Sequence, residues 1–166
     1  MDAHTKSYQV MVRNIVFGVE DSLVSTVGFL AGIASVDIPQ AHLLLTGLVL
    51  IVVEALSMGV GSLLSEASVE ELHKAEADGR TIIVGGIIMF VSYFISGFIP
   101  LLPYLLLPRA WSFGVSIIAS IGALFILGAI SGRIGRGSPW KSALRMAILG
   151  GAAVAAGVLV ARLVQT

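Results

Sequence analysis

The sequence predicts an all-α integral membrane protein with five transmembrane helices, and three observations predict it. Of its 166 residues, 57% are hydrophobic and only 12% are charged, whereas a soluble domain carries roughly a quarter charged residues. The mean hydropathy of +0.99 exceeds what a small globule tolerates, because so few charges cannot cover its large relative surface. The apolar residues also fall into five long runs, about 15–36, 42–65, 82–107, 111–132 and 142–164. Each reaches the ~20 residues that cross a ~30 Å hydrocarbon core at ~1.5 Å per residue. Barrel strands are about half as long and alternate in polarity, so helices alone fit these runs.

The elements follow in order. A short polar N-terminus, MDAHTKSYQVMVRN, has no apolar signal core with a cleavage site, so the first span is read as uncleaved. Asp37-Ile38-Pro39 ends that span. The second span leads into residues 66–81, the only connection with substantial polar content. In the third span Pro100 and Pro103 are expected to kink the helix, and Pro108-Arg109 separates it from the fourth. Ser92–Ser96 and Ser112–Ser116–Ser120 repeat at helical spacing and read as packing serines. Gly135 to Pro139 form the last turn before the fifth span. No repeat or low-complexity tract divides the chain, so residues 1–166 form a single transmembrane domain.

Charge placement predicts orientation. Lys6, Arg13, Lys74, Arg80, Arg133, Arg136, Lys141 and Arg145 fall on one side, and only Arg109 and Arg162 on the other. Basic residues stay on the cytoplasmic side, which puts the N-terminus in the cytoplasm and the C-terminus opposite. A net charge of zero gives no basis for a nucleic-acid partner, and the absence of Cys excludes disulfides and thiolate metal sites.

Ionisable residues inside a span are costly and mark function by default. Glu20 and Asp21 lie in the first span and Glu54 in the second. Asp21–Ser25–Gly28–Gly32, with Gly18 a turn earlier, makes a small polar stripe that allows close helix approach. It is expected to be the interface of a homodimer. Glu54–Met58–Gly61–Ser65 is a second stripe. The two spans run in opposite directions, which brings Asp21 and Met58 to one depth, ~7 Å from the midplane, with Glu54 one turn deeper. Two carboxylates and a thioether suit Fe²⁺ or another late first-row ion better than Mg²⁺ or Ca²⁺. Met58 also reads as packing, Asp21 as an interhelical polar contact, and Glu20 as a partner of Arg13 or of water. Beyond the bilayer, Glu66, Glu70 and His73 share a helical face that reads either as a cytoplasmic metal entrance or as a solvated helix. His4 and His42 have no partners at ligand spacing.

Several motifs agree in order along nearly the whole chain: FGVEDSLVSTVGFLAG, ALSMGVGSLLSEAS, SGFIPLLPYLL and LGAISGRIGRGSPWKSALRMAILGG. Together they resemble the vacuolar iron transporter family. The resemblance implies a five-helix homodimer with its N-terminus inside. Such proteins export Fe²⁺, and often Mn²⁺ or other divalent ions, from the cytoplasm in exchange for protons. It also implies that Asp21 and Met58 line the translocation path between protomers. The chain departs from the family at Ser22, where Gly is usual, and at Leu50, where a Glu is usual, while Glu54 stands where the family has a small residue. Residues 66–81 replace the long Glu- and Met-rich cytoplasmic domain of most members.

The expected activity is therefore divalent metal export by proton antiport, with the bilayer, metal ions and protons as partners and no cofactor. The alternative is a non-transporting scaffold or partner subunit whose buried carboxylates specify helix pairing. A built-in ATPase or a membrane hydrolase is disfavoured. The sequence has neither a phosphate-cradling Gly loop nor a paired-His or Ser-elbow motif, so no enzyme is expected.

Overall fold

In the computed structural model each apolar run becomes one helix: α1 (Ala3–Ala34), α2 (Gln40–His73), α3 (Gly79–Leu106), α4 (Arg109–Ile134) and α5 (Pro139–Gln165). The structure describes residues 3–36, 38–73, 79–135 and 137–165, apart from the side chains of 3–6, 72, 73 and 165. Asp37, Lys74 and Arg136 lie outside the described residues, as do the side chains of His4, Lys6 and His73. All five helices are long and apolar enough to cross a membrane, and no strand occurs among the described residues.

Two helices are longer than their apolar runs. Nothing between Ala3 and Ala34 breaks a helix, so α1 starts well before the predicted span. The segment SEASVEELH likewise has no Gly or Pro, and α2 continues through it to His73. Most of the predicted 66–81 connection is thus helix. Prolines start the later elements where their missing N–H costs nothing. The Pro39 carbonyl accepts from the His42 and Leu43 amides, and the Pro108 carbonyl from Trp111 and Ser112. Inside α3, the helix continues through both Pro100 and Pro103.

The helices alternate in direction, giving the bundle a basic end, where α1 and α3 begin, and a far end, where α2 and α4 begin. α1 and α3 pack on each other at the centre, α2 lies mainly on α3, and α5 lies on α1 and α4. Ser112, Ser116, Ser120, Leu124, Gly128 and Gly132 form the buried stripe of α4. The Ser116 hydroxyl donates to the Pro100 carbonyl at 2.7 Å, which bears out the packing role of these serines.

α5 docks through small residues. A Cβ on Gly128 would stand 2.6 Å from Ala143, one on Gly28 2.9 Å from the Ala153 carbonyl, and one on Gly32 2.7 Å from the Gly157 carbonyl. This corrects the expected use of the α1 stripe. Gly28 and Gly32 are occupied by α5 of the same chain, and Gly18 abuts Met89 and Ser92 of α3. Lipid offers no hydrophobic drive between helices, so close backbone approach is what fastens α5, and the glycines serve that purpose first.

Candidate functional site

The inner faces of α1, α2 and α3 carry polar side chains at two levels. At the basic end Asn14, 1% exposed, donates to the Ser62 hydroxyl and to the Gly85 carbonyl, both at 2.9 Å. One amide therefore ties α1 to α2 and α3. Beside it the Arg13 guanidinium pairs with the Glu66 carboxylate. The Arg13 side chain is 59% exposed and that of Glu66 only 9%, so a solvent-facing cation caps a buried anion.

The second level holds Asp21 and Glu54, both half-buried. Their carboxylates lie within electrostatic range of each other, and Tyr93 of α3 is within range of both. Tyr93 is fully buried. Its hydroxyl hydrogen-bonds the Ser25 hydroxyl at 2.6 Å, and its carbonyl accepts from Ser22 at 2.7 Å. Ser25 lies one helical turn from Asp21, so the α1 stripe delivers a carboxylate and a hydroxyl to one place.

Between these levels α1 and α2 part to leave a groove of about 560 Å³ floored by α3. Its walls include Arg13, Asn14, Phe17, Met58, Ser62 and Met89. Toward the far end the same helices close around Leu30, Leu43, Ile51, Leu101 and Tyr104.

The expected site residues fare differently. Asp21 and Glu54 fall within electrostatic range of each other, and Met58, one turn from Glu54, lines the groove on the side of the basic end. Glu66 and Glu70, read from sequence as an exposed entrance or a solvated face, are instead 7% and 5% exposed. α2 carries that face inward against the start of α1, and Arg13 covers Glu66. Arg13 is therefore not the partner of Glu20, whose nearby opposite charge is Arg145 of α5. The His73 side chain lies outside the described residues. Among the described residues, no three His, Cys, Asp or Glu side chains converge as a metal cage.

Sequence reading missed Asn14, the Arg13–Glu66 pair and Tyr93. The first had a signal: Asn14–Gly18–Asp21–Ser25 extends the polar stripe of α1 at helical spacing. Tyr93 had none, because a Tyr in an apolar run reads equally as a membrane-interface residue.

The comparison with known proteins now has a geometry to attach to. The VIT family model matches residues 12–82 and 77–162, covering both polar levels and nearly every span. The chain belongs to the VIT family. Similar proteins include vacuolar iron transporter 1 of Arabidopsis thaliana, 24% identical over 99% of this chain and 92% of that protein. Vacuolar iron transporter 2 of Oryza sativa subsp. japonica is 24% identical over 100% of this chain and 94% of its own. Vacuolar iron transporter of Centaurea cyanus is 38% identical over 52% of this chain and 36% of its own. The Arabidopsis alignment spans 229 positions against 166 residues here, so that VIT protein has residues with no counterpart. The two matched segments overlap at residues 77–82, around the start of α3.

Proposed function

We propose that this VIT-family protein exports divalent transition-metal ions from the cytoplasm, Fe²⁺ first and Mn²⁺ next, in exchange for protons. The observation that carries the reading is the pair Asp21 and Glu54, two carboxylates held near one another within apolar spans. In such a place a carboxylate is costly unless protonated or neutralised by a cation. Two protons or one divalent ion neutralise the pair equally well. A divalent ion binds only the deprotonated pair, so loading metal releases protons.

The surroundings support a path through the pair. Met58 and the groove give access from the basic end, and the apolar cluster around Ile51 closes the far end. The positive-inside rule places the basic end in the cytoplasm, so this form is open inward and loads cytoplasmic metal. The names of the relatives, vacuolar iron transporters, support iron as cargo. A homodimer belongs to the same reading, with the second copy covering the part of α1 around Val24 and Phe29 that α5 leaves open. A scaffold role is less well supported, since two like charges repel and do not by themselves specify helix pairing.

Purified protein in liposomes, with Fe²⁺ or Mn²⁺ uptake and internal pH followed together, tests the proposal. Metal uptake with opposing proton flow is expected. Glu54→Gln is expected to reduce proton counterflow more than metal binding. Wild-type counterflow in that variant excludes Glu54 as the proton carrier, and no uptake by the unaltered protein defeats transport itself.

A further inference from the structure

Two carboxylates balance the charge of a divalent cation but do not fill its coordination sphere. A first-row ion in an oxygen-rich site takes up to six ligands, and the remainder must come from neutral oxygens or retained waters. No further His, Asp or Glu joins Asp21 and Glu54 to make a three-residue cluster among the described residues. Hydroxyls are present instead. Tyr93 reaches from α3 to place its hydroxyl 2.6 Å from that of Ser25. The next residue of α1, Thr26, is fully buried, and its hydroxyl also lies close enough to interact with that of Tyr93.

We infer that the hydroxyls of Tyr93 and Ser25 are the neutral-oxygen side of the Asp21–Glu54 site and favour ions that keep oxygen ligands and water. This deepens the transport proposal and rests on it. Tyr93 suits the role better than a Ser or Thr of α3 would, because its ring fills the α1–α3 contact and brings an oxygen across to α1. The Ser22 hydroxyl bonds the Tyr93 carbonyl, a separate α1–α3 contact on the main chain. A hard, water-retaining ion such as Mn²⁺ gains most from such oxygens. Zn²⁺, content with four ligands, gains least.

The test uses the full chain in detergent, with Mn²⁺ as probe and its free EPR signal as the measure of binding, and Zn²⁺ as competitor. Tyr93→Phe keeps the ring and removes the oxygen. It is expected to weaken Mn²⁺ binding about fivefold, the equivalent of one lost hydrogen bond, and Zn²⁺ binding by less than about twofold. Ser25→Ala should follow Tyr93→Phe, and Ser25→Thr, which restores a hydroxyl, should recover affinity. Ser22→Ala removes an α1–α3 hydrogen bond without touching the hydroxyl pair and should leave both affinities unchanged. Equal Mn²⁺ affinity in Tyr93→Phe and the unaltered protein overturns the inference. So does an equal loss in Ser22→Ala, which would make the effect one of helix packing. Failure of the unaltered protein to bind either ion overturns this inference and the transport proposal together, whereas binding that is insensitive to Tyr93 overturns this one alone.

Discussion

At the basic end, α1, α2 and α3 are joined by polar groups: the Asn14 amide to Ser62 and Gly85, and Arg13 to Glu66. At the far end the same three helices meet through Leu30, Leu43, Ile51, Leu101 and Tyr104. Polar ties leave a groove that side chains and water can enter, while close-packed aliphatic groups exclude both. The carboxylate pair lies between, so the difference gives the proposed path a direction. One end holds by bonds that can be exchanged for water, and the other by packing that must move as a unit.

The largest expected effect falls on the site the two ends enclose. Asp21→Asn keeps the shape and an oxygen ligand but removes the charge that offsets dehydration of the ion. Fe²⁺ uptake in liposomes is expected to drop at least about tenfold, which corresponds to ~1.4 kcal/mol of lost binding, with an unchanged elution profile. Uptake near the wild-type rate would remove Asp21 from the path.

Next comes the sealed end. Ile51 is fully buried against Gly97, and Ile51→Ala is expected to cost about 2–5 kcal/mol through the cavity it leaves. Thermal unfolding in detergent reads that cost. Proton leak into liposomes should rise as well, and a destabilised variant that stays tight would show that the seal lies elsewhere.

The polar end should yield less. Arg13→Ala leaves the Glu66 carboxylate buried without its cation, at about 1–3 kcal/mol. Glu66→Gln, which keeps a hydrogen-bonding group facing Arg13, is expected to cost less. The order of the two melting temperatures checks this, and a reversed order would mean that the Glu66 carboxylate is stabilised mainly by groups other than Arg13. Smallest of all, Gly61→Ala places a methyl where nothing lies within 4 Å. Stability is expected to stay within about 0.5 kcal/mol, with metal uptake unaltered, so any clear loss would show that the groove beside Met58 narrows during transport.

The sequence by itself determined the number and order of the helices, because crossing a bilayer demands long apolar runs and any chain of this composition must supply them. It also led to the expectation that Asp21 and Met58 share one depth, with Glu54 one turn deeper. Helical rise converts position into height, and two antiparallel spans share one midplane. What it left open was which surface meets which. Helical spacing puts Gly18, Asp21, Ser25, Gly28 and Gly32 on one stripe but does not name what covers it. The folded chain divides that stripe, giving Gly18 to α3 and Gly28 and Gly32 to α5. The partners of the charges were open for the same reason: Arg13 sits two turns from Glu20 on one face of α1, yet its cation goes to Glu66, 53 residues on. Tyr93 shows the limit most plainly. Its residue type is compatible with lipid headgroups or with a dry core, and only the packing of α3 against α1 put its hydroxyl on Ser25. Periodicity fixes direction around one helix, while pairing depends on the shapes of all the others, which exist only once the bundle has assembled.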